Sequence, residues 1–214
     1  MKIIFATGNA GKLREAAEVL GPEYEIVSPA SLGITEDIPE TGSTLQENSL
    51  QKARYLFERT GLPCFADDTG LEVDALGGAP GIYSARYAGP GHDHDANMAK
   101  LLKELQLLEI PRQARNDYKD ARNDYWDEGV SRRARFRTVV TLILADGEPH
   151  FFEGTCEGSI ATARRGNGGF GYDPVFLPDA YPGRTLAEVS EEEKNAVSHR
   201  GRAIRAMADW LKNR

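Results

Sequence analysis

Asp67 and Asp68 stand side by side at the end of the apolar run Pro63–Ala66, and Thr69-Gly70 follows them. In an extended strand, neighbouring side chains point to opposite faces. One carboxylate of the pair can therefore face a cleft while backbone groups hold the other. A carboxylate at a strand end suits a hard cation such as Mg2+, or a base that activates water. An Asx-type turn before Gly70 is the other reading of these residues. Glu40, just before Thr41-Gly42, is a second candidate metal ligand because no local capping pattern claims it. Glu47 differs, since Thr44-Leu-Gln-Glu47 is a capping box that marks a helix start.

Thr7-Gly8-Asn9-Ala10-Gly11-Lys12 lies between an apolar run and a stretch with helical spacing. Backbone N–H groups at a helix start attract anions, aided by a dipole worth about half a positive charge. Gly8 and Gly11 would let a phosphate approach closely, and Lys12 adds a full charge. The segment is too short for a P-loop, and Leu13 stands where that motif needs Ser or Thr for magnesium. A plain strand-to-helix turn with a surface lysine accounts for the same residues.

Two later segments could recognise a base. Gly166-Asn-Gly168-Gly-Phe170-Gly171-Tyr172-Asp173-Pro174 matches G-x-G-x-x-G, but no helix opens after it, which excludes a dinucleotide fingerprint. Phe170 could instead stack on a base while Asp173 accepts a hydrogen bond. A tight loop around a core Phe is the alternative. Lys194 and Ser198-His199-Arg200-Gly201 supply donors for an acceptor-rich edge such as a purine 6-oxo group. An adenine amino group would meet them donor to donor. Ser198 as a helix N-cap and Arg200 on a solvated face form the plainer reading. His92-Asp93-His94-Asp95 resembles a metal box, yet it reads better as a polar loop capping the next helix.

These groups need elements to hold them. Lys2–Thr7 reads as a buried strand, and Leu13, Ala16, Ala17 and Leu20 mark one face of a helix. Tyr24–Ser28 is a short strand and Ser31–Gly42 a loop rich in acids, Pro and Gly. A helix is expected from Thr44 to Arg59, ended by Gly61, then a strand at Pro63–Ala66 that resumes at Leu71–Val73. Asp95–Leu108 is helical. Arg135–Ala145 and His150–Ile160 pair as a hairpin around Asp146-Gly147. Ile204, Met207, Ala208 and Leu211 face a closing helix. The order βαβαβ, hairpin, helix predicts an α/β fold with a mixed sheet and no linker between domains.

The 214 residues carry 26 Lys and Arg against 33 Asp and Glu, a net charge of −7, which argues against a non-specific nucleic-acid binder. No apolar run reaches the roughly 18 residues of a membrane span. Cys64 and Cys156 form no CxxC, so neither a disulfide framework nor a zinc site is expected, and a cytoplasmic protein is. Ala114-Arg-Asn-Asp-Tyr118 recurs as Ala121-Arg-Asn-Asp-Tyr125 inside a charged stretch, Arg112–Arg133, that reads as a surface insertion or an extended helix, with a partner-binding arm as the alternative.

Taken together, an anion cradle, a carboxylate pair, an aromatic shelf and a donor pair suit a nucleoside polyphosphate with Mg2+. The sequence resembles the inosine triphosphate pyrophosphatase-like hydrolases. The resemblance rests on Ala6–Lys12, Glu40-Thr-Gly42, Glu47-Asn48, Lys52-Ala-Arg54, Ala66–Gly70, Leu76–Tyr87, Gly168–Pro174, Glu193-Lys194 and Ser198–Gly201, in order along nearly the whole chain. It implies one domain over residues 1–214, an elongated mixed sheet flanked by helices, and two lobes around a nucleotide cleft. It implies a homodimer that converts non-standard purine nucleoside triphosphates (ITP, dITP, XTP) to the monophosphate and pyrophosphate. Asp68 would be the proton acceptor and, with Glu40, hold Mg2+. Thr7, Gly8, Asn9, Ala10, Gly11 and Lys12 would grip the phosphates, with Lys52 assisting and Thr69 touching substrate. Phe170, Gly171, Tyr172 and Asp173 would form the base pocket, and Lys194, His199 and Arg200 would read the purine edge. No nucleic-acid or membrane partner is expected.

Overall fold

The computed structural model describes residues 1–36, 38–116 and 130–214. The second copy of the Ala-Arg-Asn-Asp-Tyr repeat, and residues 117–129 of the expected insertion, lie outside them.

Strand β1 (Lys2–Phe5) leads through the loop at Thr7 into helix α1 (Ala10–Leu20), followed by β2 (Glu25–Val27) and α2 (Leu45–Thr60). Then come β3 (Cys64–Val73), the short β4 (Pro80–Gly81), α3 (His94–Asn116), β5 (Arg133–Ile143) and β6 (Pro149–Ile160). Strand β7 (Phe176–Pro178) and helices α4 (Glu191–Val197) and α5 (His199–Lys212) close the chain. The sheet runs β2-β1-β3-β5-β6-β7, with β4 paired to β3. Strand β1 is parallel to both β2 and β3, with Ile4 opposite Val27 and Cys64, whereas β4 and β7 pair antiparallel. This is the mixed α/β sheet that the order of elements predicts.

The described residues form two compact units, each assembled from separate stretches of chain. The first comprises Met1–Gly70, Phe136–Cys156 and Glu192–Arg214, and the second Leu71–Arg135 and Glu157–Glu191. Because neither is a continuous segment, no linker marks them in the sequence.

In the first unit, strand alternation divides the core. Ile3, Phe5 and Phe65 pack with Ala16 and Leu20 of α1 and Ile204, Met207 and Ala208 of α5. Ile4, Cys64 and Ala66 point the other way, onto Ala53 and Leu56 of α2. Full burial of each large aliphatic side chain stabilises the fold by about 1.5–3 kcal/mol. The helix periodicities read from sequence thus serve two layers on opposite faces of β1 and β3.

Strand β3 runs unbroken from Cys64 to Val73, so Asp67 and Asp68 lie within a strand and not in a turn. The Thr44 cap forms as expected, with Glu47 N–H donating to Thr44 Oγ1 at 3.0 Å. The Glu47 carboxylate, however, accepts from Ser43 N–H at 2.6 Å and Ser43 Oγ at 2.7 Å, one residue earlier than a capping box requires.

In the second unit, Asp93 Oδ1 accepts from Ala96 N–H at 3.0 Å and caps α3. No cluster of three or more potential ligands for a metal ion occurs among the described residues. The backbone of α3 continues past Leu108 to Asn116. The strong helix formers Gln113 and Ala114 extend it beyond the apolar periodicity, although Pro111 removes a hydrogen bond. Buried Asn97 ties α3 to the preceding turn, accepting from Ala88 N–H at 2.6 Å and donating to Ala85 O at 3.0 Å.

Candidate active site

The alternation that splits the core also separates the two carboxylates. Asp67 shares a face with Phe65, toward α1 and α5. Asp68 shares a face with Ala66, toward α2.

Asp67 is 2% exposed and carries two cations. Lys12 Nζ donates to its Oδ2 at 2.9 Å and its Oδ1 at 3.1 Å, and Arg200 Nε donates to Oδ2 at 2.8 Å. Side-chain cations, and not backbone groups, therefore hold this carboxylate. Burial alone would raise the Asp67 carboxyl, but Lys12, Arg200 and Lys52 outweigh it and hold it below the usual carboxylate range. Arg200 also reaches Glu15 at 3.6 Å, and Glu15 accepts from Ser198 Oγ at 3.0 Å.

Asp68 has a different environment. Asn48 Nδ2 donates to its Oδ2 at 3.2 Å, and Lys52 Nζ donates to its Oδ1 at 3.3 Å. The same ammonium reaches Glu40 Oε1 at 2.6 Å. Burial raises the Asp68 carboxyl, Glu40 adds to this, and Lys52 and Asn48 oppose it only in part. Burial works against the charge on Lys52, yet Asp68, Asp67 and Glu40 together stabilise its ammonium. Asn48 also accepts from Gly42 N–H at 2.8 Å and so holds the loop that carries Glu40. Asn48 and Lys52 are four residues apart, one turn of α2, so their common face was readable from spacing. The role of Asn48 was not.

Two carboxylates converging on one ammonium form a cation position. Their hard oxygens fit a Mg2+-type ion, which uses one or two protein carboxylates and leaves its remaining sites to water and phosphate. The two carboxylates are those of Asp68 and Glu40, both within 3.3 Å of Lys52 Nζ.

The Thr7–Lys12 loop is more self-contained than the cradle reading implies. Asn9 Oδ1 accepts from Gly11 N–H at 2.8 Å and Lys12 N–H at 3.1 Å, and Asn9 N–H donates to Thr7 Oγ1 at 3.1 Å. Two helix-start donors are thereby used, while Gly8 and Ala10 donate no backbone bond among the described residues. Lys12 points at Asp67.

Thr69 lies on the Asp67 face. Its Oγ1 is 2.7 Å from Thr138 Oγ1, which is 2.6 Å from His199 Nδ1. Ser198 caps α5 through Gly201 N–H at 3.0 Å, so the N-cap reading of Ser198 holds. Gly154 on β6 packs against this first turn, where a Cβ would collide with the carbonyl of His199 and the N–H of Ala203. The His199 ring stacks on Phe136, with centroids 5.1 Å apart. Burial, then the neighbouring Arg200, Lys12 and Lys194 charges, depress the imidazole to about 3 against the opposing pull of Asp67. It is neutral at neutral pH. Lys194 lies in the last turn of α4.

In the second unit, the glycine-rich loop wraps around Asp173. Phe170 N–H donates to Asp173 Oδ2 at 2.9 Å, and Asp173 N–H returns a bond to Phe170 O at 3.2 Å. Gly169, at φ +72°, admits the carboxylate where a Cβ would overlap it. Gly171 is also left-handed, at φ +62°. Phe170 is 67% exposed, so it is not the core residue of the plainer reading. Buried Tyr172 donates from its hydroxyl to Ser84 O at 2.9 Å.

Comparison with known proteins adds an independent line. The model of the Ham1 family matches residues 3–210. A dITP/XTP pyrophosphatase of Porphyromonas gingivalis is 50% identical over 98% of this chain and 97% of its own. One from Thioalkalivibrio sulfidiphilus is 45% identical over the full length of both. Among solved structures, a HAM1 protein from Coxiella burnetii superposes with a TM-score of 0.83 at 36% identity, covering 100% of each chain. A nucleoside-triphosphatase (dITP/XTP pyrophosphatase) from Mycobacterium abscessus gives 0.73 at 43% identity, covering 97% of this chain and 98% of that one.

Proposed function

The chain belongs to the Ham1 family, and from that premise we propose that it hydrolyses ITP, dITP and XTP to the nucleoside monophosphate and pyrophosphate. The observation that carries the proposal is the environment of Asp68, a carboxylate held by Asn48 that meets Glu40 at the Lys52 ammonium.

Asp68 takes the proton of an attacking water. The water oxygen forms a bond to the α-phosphorus, the α–β bridging bond breaks, and pyrophosphate leaves with the electron pair. Mg2+ held by Asp68 and Glu40 would supply charge neutralisation at the phosphates and a more acidic water. Lys52 and Lys12 offset charge that grows on the leaving group. Thr7–Lys12 bind phosphate oxygens, and Thr69 contacts substrate. Neutral His199, with Arg200 and Lys194, offers donors to a 6-oxo edge that adenine lacks. Phe170, Gly171, Tyr172 and Asp173 are assigned to the base. Their support is the exposed ring of Phe170 on a loop fixed from within by Asp173. One domain over residues 1–214, a homodimer and a cytoplasmic setting complete the reading. Cys64 and Cys156 are both unbridged, which fits a reducing compartment.

Pyrophosphate release from a panel of nucleoside triphosphates, with Mg2+ and with EDTA, tests this. Metal-dependent release concentrated on ITP, dITP and XTP is expected. Strong release from other nucleotides would overturn the specificity, and binding without release would overturn the hydrolase.

A further inference from the structure

We propose that the turn Thr185–Glu188 braces the glycine-rich loop, and that Thr185 is its positioning residue, whose buried hydroxyl keeps the exposed Phe170 ring placed for a base. The consequence for substrate rests on the function proposed above; the hold on the loop does not.

Phe170 stands on the stretch from Arg165 to Pro174, whose ends meet where Arg165 N–H donates to Pro174 O at 2.8 Å. Thr185 is fully buried, and its Oγ1 donates to Arg165 O at 2.9 Å. A carbonyl can only accept, so the direction of this bond is fixed. No other donor reaches Arg165 O among the described residues. Two residues on, Ala187 takes hold of both limbs of the loop. Its carbonyl accepts from Gly168 N–H at 3.2 Å, and its own N–H donates to Asp173 O at 3.2 Å. The Asp173 carboxylate in turn accepts from Phe170 N–H at 2.9 Å. At Gly166, with φ +79°, a Cβ would stand 2.6 Å from the Ala187 carbonyl. Loop and turn therefore meet backbone to backbone.

The turn is closed on itself before it meets the loop. Thr185 N–H donates to Glu188 Oε2 at 2.8 Å, and Glu188 N–H donates to Thr185 O at 2.9 Å. Arg165 adds two outer contacts, with Nη2 donating to Gly183 O at 2.9 Å and Nε 3.7 Å from the Glu188 carboxylate. The ion pair sits at the surface, where such pairs contribute little. The Phe170 ring, 67% exposed, gains little from packing, so the backbone beneath it must place it. That backbone is tied to the buried interior of the second unit through the Thr185 hydroxyl. Valine has the same shape as threonine but gives Arg165 O no donor, which separates the bond from the packing.

The test pairs amide hydrogen exchange with kinetics in Thr185→Val and Thr185→Ser. With no nucleotide present, the Gly168 and Phe170 amides should exchange about tenfold faster in Thr185→Val, the scale of one hydrogen bond, and at the wild-type rate in Thr185→Ser. The KM for dITP should rise about tenfold in Thr185→Val, with kcat close to wild type, and recover in Thr185→Ser. The inhibition constant of inorganic tripolyphosphate, which has no base to stack, should keep its wild-type value in both. Wild-type exchange or KM in Thr185→Val would overturn the proposal, as would equal loss in Thr185→Ser or a parallel weakening of tripolyphosphate. Faster exchange throughout β5 and β6 would make Thr185 a residue of the fold alone and overturn it too. A wild-type protein that releases no pyrophosphate from dITP would overturn the hydrolase reading, and hydrogen exchange would then decide the hold on the loop.

Discussion

Asp67 and Asp68 are neighbours in one strand, yet they inhabit opposite electrostatic regimes. On the α1 and α5 face, Asp67 is sealed and matched by two cations within 2.9 Å. On the α2 face, Asp68 has longer bonds of 3.2 and 3.3 Å and shares its one ammonium with Glu40. Sealing with surplus positive charge keeps Asp67 ionised, while burial with insufficient compensation raises Asp68. The first arrangement suits an anchor and the second a group that exchanges a proton. A doubled carboxylate in a sequence therefore need not be a doubled function.

The sharpest way to break this comparison is to neutralise each partner. Asp68→Asn should lower kcat by roughly a thousandfold or more, within the range of general-base catalysis combined with lost metal binding. Its Tm should stay close to wild type and nucleotide binding should survive. Near-normal kcat would remove Asp68 from the chemistry. Asp67→Asn should act mainly on the fold, because it strands Lys12 and Arg200. A loss of about 3–5 kcal/mol is expected for breaking a buried pair, read as the shift in a urea unfolding midpoint. An unchanged midpoint would show that the cluster is not an anchor.

His199 sharpens the contrast by adding a half-buried group that its surroundings hold neutral. Its folded pKa, at about 3, lies below the unfolded value near 6.5. Between these values the unfolded chain binds a proton that the folded one does not, so stability falls as pH drops through that window. At about 1.4 kcal/mol per unit the loss is on the order of 4 kcal/mol by pH 3. His199→Gln should flatten this part of the curve of unfolding free energy against pH. The same slope in the variant would assign the loss to other groups.

The smallest effect belongs to the helix that carries Asn48 and Lys52. Thr44→Ala removes the cap on α2 and should cost about 1 kcal/mol, with kcat unchanged. A fall in kcat matching that of Lys52→Ala would mean that the cap also tunes the site.

Much of this was legible in the residues. Spacing placed α1, α2 and α5, the Thr44, Asp93 and Ser198 caps formed as the sequence implied, and the hairpin turned at Asp146-Gly147. Alternation along β3 predicted that Asp67 and Asp68 would diverge. Apolar periodicity bounded α3 at Leu108, short of its end at Asn116, and the stretch from Arg112 read equally as an insertion or an extended helix, because periodicity ends before helix propensity does. Nor were the partners of Asp67, since Lys12 and Arg200 are 55 and 133 residues away. Thr138 gave no signal at all, for a buried threonine in an apolar strand looks like packing until its neighbours are known.

The sequence by itself determined which segments become helices and strands, and which residue types could do chemistry, because periodicity, caps and charge are local properties. Only the tertiary structure decided which carboxylate is matched by two cations and which shares one ammonium with Glu40. That outcome depends on strand register and on which helix covers each face of β3. These are long-range choices, set when the apolar faces of α1, α2 and α5 are buried together.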